Sequence, residues 1–344
     1  MIGGRLATFF VFISFLVGWG LDYGMGTSID NLVHDSAVVY QARSSWKHVG
    51  VVVLDDDVPI KVGRKQSLPL FALAAERLIT AGAKGVFLDA RLAKEIESVM
   101  PYALCMESDG TVLWSTPQCV ANDTAQCLLT NSQAGNAPLK MQGEAIAKFR
   151  VAPYLPGQSQ LPDFLLYDWE AMDYIPEEGL VASDRLVTKH SPVARWMDLS
   201  PDHAVIKLAA FVDPNRVKKS LDQNLNDESC DEGFRCRRIR LSRPVYQAQM
   251  DMSRLIVPVS ILASCDYTIS TPVAALLKNK AVIFQMTSPT ESTDIMVTTM
   301  TTALSGPHLM THGPQFLADA VETLLHQDHP RQPQTWVKMV LLTS

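Results

Sequence analysis

Short apolar runs separated by amphipathic segments mark the first third of the chain. Residues 49–54 (VGVVVL) and 85–88 (GVFL) are rich in β-branched and other apolar side chains, which is typical of strands buried on both faces. Between them, apolar residues recur every four positions (Leu70, Ala74 and Leu78), with Ser67 as a cap and Gly82 as a stop. The pattern predicts a strand, a helix and a second strand parallel to the first.

A similar order returns near the C-terminal end. Residues 272–277 are expected to be helical, and residues 281–285 (AVIFQ) predict another buried strand. Gly313-Pro314 opens a helix with one apolar face, formed by Phe316, Leu317, Ala320, Val321 and Leu324. Strand-like runs occupy residues 163–169 and 204–211, and residues 106–143 and 213–243 have little periodicity. The chain is therefore expected to have an α/β fold, with a mixed, largely parallel central sheet flanked by helices.

The N-terminal segment predicts one membrane anchor. Residues 6–21 carry no charge and follow Arg5, and at about 1.5 Å per residue they would reach about 24 Å, slightly less than a hydrocarbon core. The positive N-terminus favours a cytoplasmic start and an exported remainder. A cleaved signal peptide is the alternative, and bulky Phe15 and Trp19 favour the uncleaved anchor. We expect an anchor over residues 1–26, a domain over 27–330, and a tail over 331–344 that returns to the membrane.

Charge and composition exclude two protein classes. The chain has 344 residues and a net charge of −6, and 47% of its residues are hydrophobic, so it is not a disordered protein. Its one short basic cluster, residues 235–240, follows an acidic stretch and is expected to pair with it locally. Because binding a phosphate backbone needs a concentrated basic surface, nucleic acid is not an expected partner.

Six cysteines indicate an oxidising compartment, and their spacing fits no zinc motif. Cys119 with Cys127, and Cys230 with Cys236, are candidates for disulfides that close short loops. The connectivity stays open, because six cysteines allow about fifteen pairings. Cys265 lies in an apolar run and is expected to be a buried free thiol.

Several segments, taken in order, resemble CHASE2, the extracytoplasmic sensory domain of bacterial membrane receptors. After the N-terminal apolar segment come VVVLDDD, ITAGAKGVFLDA, a long variable middle, LLKNKAVIF and THGPQFLADAVETLL. The resemblance spans about residues 49–325 and is strongest over 49–89 and 276–325. It implies a single-pass protein of the bacterial inner membrane whose main domain lies in the periplasm.

This resemblance also implies a function and its partners. CHASE2 domains usually precede further membrane helices and a cyclase or kinase, whereas this sequence stops at Ser344. We therefore expect a sensory or ligand-binding protein that passes its signal to a partner, or to an output module beyond residue 344. The lipid bilayer is one expected partner, and a homo-oligomer or a membrane-protein partner is the other. The alternative is a periplasmic scaffold subunit of a membrane assembly.

Acidic residues follow the first two predicted strands. Asp55 and Asp57 come after the first strand and Asp89 ends the second. The carboxyl ends of parallel strands meet at one edge of a sheet, where ligands of open α/β sheets bind. Clustered carboxylates need positive charge nearby, so the pattern predicts a ligand site for a cationic molecule or a divalent cation. The alternative is that these residues cap turns or pair with Arg64 and Arg91.

Two further residues could complete that site. Asp294 lies in the loop after the third buried strand, and His312 directly precedes a helix. An Asx-turn for Asp294 and a structural role for His312 are the alternatives. His326 and His329 are expected at a solvated helix end.

Motifs typical of enzymes are absent from the sequence. It contains no GxxxxGK[ST], GxSxG or HExxH, and no GxGxxG after a strand. The chain is therefore expected to bind a ligand rather than to catalyse a reaction, and it needs no cofactor beyond the cation considered at Asp55 and Asp89. A metal-dependent hydrolase using the same aspartates is the third hypothesis.

Overall fold

The computed structural model describes part of the chain. The described residues are 40–53, 81–89, 102–115, 165–168, 180–182, 194–201, 203–223, 228–229, 235–243, 255–268, 272–285, 295–296 and 311–330, with single positions 31, 34, 35, 38, 70, 73, 74, 77, 78 and 298. No helix among these residues is both long enough and apolar enough to cross a bilayer. The predicted anchor over 1–26 and the tail over 331–344 lie outside them.

Strands and helices alternate along the described chain. The strands are β1 (Val49–Val53), β2 (Gly85–Asp89), β3 (Tyr102–Met106), β4 (Val112–Ser115), β5 (Leu165–Asp168), β6 (Leu180–Ala182), β7 (Trp196–Asp198), β8 (Glu228–Ser229), β9 (Arg235–Arg238), β10 (Ile256–Pro258), β11 (Ala281–Gln285), β12 (Ile295–Met296) and β13 (Thr311–His312). The helices are α1 (Ala204–Val212), α2 (Pro214–Asp222), α3 (Val259–Ala263), α4 (Pro272–Leu277) and α5 (Gly313–His326). The described positions among residues 31–38 and 70–78 are also helical.

A parallel sheet organises the fold. Six strands form it in the order β10-β1-β11-β2-β5-β6, and each neighbouring pair is parallel. β1 and β2 run parallel as predicted, but they are not neighbours, because β11 lies between them: Val49 pairs with Ala281, and Ala281 pairs with Gly85. The other described ladders, β3-β4, β7-β9-β8 and β12-β13, are antiparallel. The predicted α/β class is confirmed.

Both faces of the sheet are covered. Val49, Val51 and Val53 pack with α1 and α5 on one face. Val52 packs on the other face, with the helical segment 70–78, α3, α4 and residues of β3 and β4. Side chains alternate across a strand, so a strand covered on both sides must be apolar throughout, and each fully buried valine contributes about 1.5–3 kcal/mol. A Cβ at Gly50 would lie 2.3 Å from Leu277 Cδ2, so any larger residue there would displace the buried Leu277 side chain.

Residues 204–211, predicted as a strand, belong to the helix α1. Ala204, Val205, Leu208 and Ala209 are buried, a spacing that matches one face of a helix. His203 caps the helix, because its Nδ1 accepts a hydrogen bond from the Val205 N–H at 3.3 Å. The apolar run alone did not distinguish a helix from a strand. The next segment, predicted as irregular, contains α2, which begins with Pro214 after the Asp213 cap.

The α5 helix is buried all round from Gly313 to Leu325. Its apolar face was predicted, but its polar residues are also enclosed. Gln315 donates to Ser242 Oγ at 3.1 Å, and Asp319 accepts from Trp46 Nε1 at 2.8 Å. Glu322 accepts from the backbone at the start of β1. Because its last turns contact the first residues of β1, α5 runs antiparallel to that strand and begins toward the carboxyl edge of the sheet.

A disulfide joins Cys105 of β3 to Cys265, and their Cα atoms are 4.7 Å apart. The prediction that Cys265 is a buried free thiol was wrong, because this residue is exposed and bonded. The apolar run ends before it, where the Cys265 N–H donates to the Met106 carbonyl at 2.9 Å. Cys236 is disulfide-bonded too, and its partner lies outside the described residues. Cys119, Cys127 and Cys230 also lie outside them, so their pairing stays a prediction.

Candidate functional site

At the carboxyl edge of the parallel sheet, the predicted site residue Asp89 lies beside Gln285 along the backbone. Gln285 ends β11, and it pairs with Val53 of β1 on one side and with Asp89 of β2 on the other. β2 also pairs with β5, and the last paired residues of that ladder are Leu88 and Tyr167. Asp168, the next residue of β5, therefore lies level with Asp89 along the strands. Asp55 and Asp57 follow β1 but lie outside the described residues, as does Asp294.

Gln285 is the side chain of this edge that sequence reasoning missed. It is 3% exposed, and its Nε2 has no hydrogen-bond partner among the described residues. Phe284 packs against the segment 70–78 and α3, so alternation directs Gln285 to the face covered by α1 and α5. An unpaired buried amide costs about 1–3 kcal/mol. A single polar residue that ends the apolar run AVIFQ was the available signal.

Two helices begin toward the same edge. His312 directly precedes α5, and its backbone pairs with Ile295 in the β12-β13 ladder. α1 also runs antiparallel to the strands, because a Cβ on Gly85, at the start of β2, would lie 2.3 Å from the ring of Phe211 near the end of α1. Its cap His203, which is 3% exposed, therefore lies toward the carboxyl edge. The backbone of Asp89 and that of His312 thus approach the same edge.

A second cluster of titratable side chains lies at the opposite, amino edge of the sheet. It contains His48, Glu322 and His326, whose nearest donor atoms lie within 4.8 Å of one another. Glu322 is fully buried, and its Oε1 accepts hydrogen bonds from the backbone N–H groups of residues 47, 48 and 49. Its Oε2 lies 3.1 Å from His326 Nε2. The rings of His48 and His326 are 5.1 Å apart and tilted by 45°.

The electrostatic surroundings of this cluster are mixed. Burial lowers the pKa of His48, while the Glu322 carboxylate acts to raise it and His326, Arg216 and Lys280 lower it further. An open cleft of about 450 Å³ adjoins His326, and Asn215, Arg216 and Lys219 also line it. His326 is the last residue of α5, and its side chain is 25% exposed and faces the buried Glu322. The Glu-x-x-x-His spacing on α5 was its only local signal.

Comparison of the chain with protein-family models, with curated proteins and with solved structures finds no match. The resemblance to CHASE2 therefore rests on the segments quoted above and stays a prediction.

Proposed function

We propose that this chain is a membrane-anchored, extracytoplasmic ligand-binding domain of CHASE2 type, and that its ligand binds at the carboxyl edge of the sheet. The observation that carries the proposal is the buried Gln285 side chain, whose amide nitrogen finds no hydrogen-bond partner in the part of the chain that the structure describes. Buried polar groups are nearly always paired, so a group left unpaired is expected to have a partner that arrives from outside. The carboxyl edge of an open α/β sheet is also where ligands of such folds bind.

The chemistry of the edge limits the ligand. The Gln285 amide nitrogen is a donor, so the ligand must present an acceptor such as a carboxylate, carbonyl or hydroxyl oxygen. Asp89 and Asp168 add negative charge along the neighbouring strands. A small zwitterionic molecule, or an amine that also carries an acceptor oxygen, satisfies both requirements. A bare divalent cation satisfies only the second, because an amide N–H₂ group does not bind a cation.

The disulfide supports the proposed compartment. The bond between Cys105 and Cys265 links two parts of the chain that are 160 residues apart, and such bonds persist in oxidising surroundings. This is consistent with a bacterial inner-membrane protein whose main domain lies in the periplasm.

A signal would pass through a shift between two arrangements of the domain. A ligand that binds one arrangement more tightly increases its population. The α5 helix links the carboxyl edge, where it begins, to the tail over residues 331–344, which follows it. A second copy of the chain or a membrane-protein partner would then respond to the changed position of the tail.

The Gln285→Leu variant is expected to separate stability from binding. Leucine removes an unpaired buried amide, so the free energy of unfolding should stay unchanged or rise by about 1 kcal/mol, whereas ligand binding should be lost. The measurement is thermal unfolding of the full-length chain in detergent, alone and with a panel of amino acids, betaines and polyamines. At least one compound should raise the melting temperature of the wild type but not of the variant.

Gln315→Leu is the matched control. Gln315 is also buried, but its amide nitrogen donates to Ser242 Oγ at 3.1 Å and to the Arg243 carbonyl at 3.0 Å. This control should lose about 1–3 kcal/mol of stability and still respond to the ligand. The proposal fails if no compound stabilises the wild type, or if Gln285→Leu responds like the wild type.

A reporter fusion tests the compartment. Alkaline phosphatase folds only where its disulfides form, so a fusion after residue 330 in a bacterial host should be active. The same fusion made without residues 1–26 should be inactive, because the domain would then stay in the cytoplasm. An inactive full-length fusion, with the fused protein intact in the cell, would contradict the periplasmic assignment.

The structure gives the scaffold alternative no specific support. Among the described residues, Tyr40 is the one large apolar side chain that is exposed, at 92%. A scaffold contact is expected to leave an extended apolar patch.

A further inference from the structure

We propose that His48, Glu322 and His326 form a binding site for a divalent transition-metal ion, and that Zn²⁺ suits these donors best. Two imidazoles and one carboxylate match the three protein ligands of open zinc sites, in which a fourth position stays free for water or another ligand. The site lies at the amino edge of the sheet, so it is independent of the ligand proposed at the carboxyl edge.

Glu322 is already fixed in the orientation that a metal needs. Its carboxylate is fully buried, and three backbone N–H groups at the start of β1 donate to Oε1. These bonds leave Oε2 directed toward the two histidines, and no described residue places a well-aligned hydrogen-bond donor on Oε2. Partners of this kind orient metal ligands and are a common part of metal sites.

The distances are close to those of a zinc site. Metal–ligand bonds of about 2.0–2.2 Å in tetrahedral geometry place ligand atoms about 3.3–3.5 Å apart. Glu322 Oε2 and His326 Nε2 are 3.1 Å apart, and their spacing of four residues places them on one face of α5. The ligand atoms of the cluster all lie within 4.8 Å of one another, so the half-buried His48 side chain has to move by only about 1 Å to share an ion with the other two.

Charge near the cluster restricts which metal can bind. Arg216 and Lys280 lie close enough to His48 to act on it, although Arg216 also faces Asp213 at 3.7 Å and Lys280 donates to the Lys47 carbonyl. These cations oppose Mg²⁺ and Ca²⁺, which bind through several oxygen ligands and charge. Zn²⁺ forms strong bonds to imidazole nitrogen atoms, which two of the three residues supply.

The test measures zinc on the full-length chain in detergent. The protein is stripped with a chelator, incubated with Zn²⁺ and separated by gel filtration, and bound zinc is then measured by mass spectrometry and by calorimetry. One Zn²⁺ per chain is expected, with no comparable binding of Mg²⁺. Co²⁺ in place of zinc should give the intense visible absorption of a tetrahedral site.

Three variants remove the ligands, namely His48→Gln, His326→Gln and Glu322→Gln. Loss of a residue that only supports a metal ligand usually weakens metal binding about tenfold to a hundredfold. Each of these variants loses a ligand itself, so its affinity for zinc should fall by at least that much. Glu322→Gln is the sharpest of them, because its amide oxygen can still accept the three backbone N–H groups, so the fold should persist. Thermal unfolding without metal checks that each variant is folded.

Two variants act as controls. His329→Gln changes a half-buried histidine outside the cluster and should bind zinc like the wild type. Arg216→Gln removes a nearby cation and should bind zinc several times more tightly. The described cysteines are disulfide-bonded, so none of them offers a thiol that competes for zinc. Absence of zinc binding, or binding that is unchanged in both His48→Gln and His326→Gln, would overturn the proposal.

Discussion

Replacing Cys105 and Cys265 together by alanine is expected to lower the free energy of unfolding by about 5 kcal/mol, the upper end of the range for a disulfide. The reason is their separation of 160 residues, since a bond that closes a long loop removes much of the conformational entropy of the unfolded chain. The midpoint of unfolding in urea, measured for the variant and the wild type without reductant, gives the loss. A reducing agent is a poorer test, because Cys236 is also disulfide-bonded.

Serine replacements serve as the control for this variant. A Cys105→Ser and Cys265→Ser pair should lose a similar amount, because the effect comes from the missing link rather than from the side chains. The hydrogen bond from the Cys265 N–H to the Met106 carbonyl involves only the backbone and remains available in both variants. A loss below about 1 kcal/mol would mean that the unfolded chain gains little freedom when the link is removed.

Stability is expected to fall by about 3 kcal/mol in all as the pH rises from about 3 to about 7 because of Asp319 alone, and about 2 kcal/mol of this loss falls between pH 4 and pH 6. Burial raises the pKa of this fully buried carboxyl group to about 6, against 3.8 for an exposed one, and hydrogen bonds from Ser242 and Trp46 limit the rise. The folded state therefore binds the proton more tightly than the unfolded state. Its stabilising contribution is complete below about pH 4 and is lost as the pH rises through about 6. Urea unfolding at several pH values measures this slope.

Asp319→Asn isolates the contribution, because the other carboxyl groups titrate equally in both proteins. The difference in unfolding free energy between wild type and variant should follow the slope expected for Asp319. Ser242→Ala removes a hydroxyl that donates to Asp319 Oδ2 at 2.9 Å, so it should move the transition to higher pH. A difference profile that stays flat from pH 4 to pH 6 would contradict the proposed titration.

The sequence predicted where β1, β2 and β11 lie along the chain better than it predicted which strands pair with each other in the sheet. β1, β2 and β11 are short apolar runs bounded by polar residues or glycine, and burial on both faces makes such runs easy to identify. That β11 lies between β1 and β2 has no local signal, because strand order depends on contacts distant in sequence. Residues 204–211 were misassigned for a related reason: an apolar run packed on one side can be a helix or a strand, and here the capping His203 and the helical spacing of buried positions decide it.

The candidate sites show the same limit. Acidic residues after parallel strands indicated the carboxyl edge, and the backbone of Asp89 lies there beside Gln285. The unpaired state of Gln285 depends on every group that surrounds it, which a sequence does not show. The amino-edge cluster brings His48 together with Glu322 and His326 of α5, from which it is farther along the chain than Asp89 is from Gln285. Only the spacing of Glu322 and His326 was visible beforehand.

The position of β11 has a consequence for how the protein is made. β1 obtains both of its neighbours, β10 and β11, from residues 256–285, while synthesis delivers the amino end first. The early strands therefore keep unpaired edges until these residues are made, and unpaired edges can pair with other chains. Folding that depends on contacts so distant in sequence is slow. We expect the newly made chain to depend on a chaperone that keeps it unfolded until Gln285 has been made.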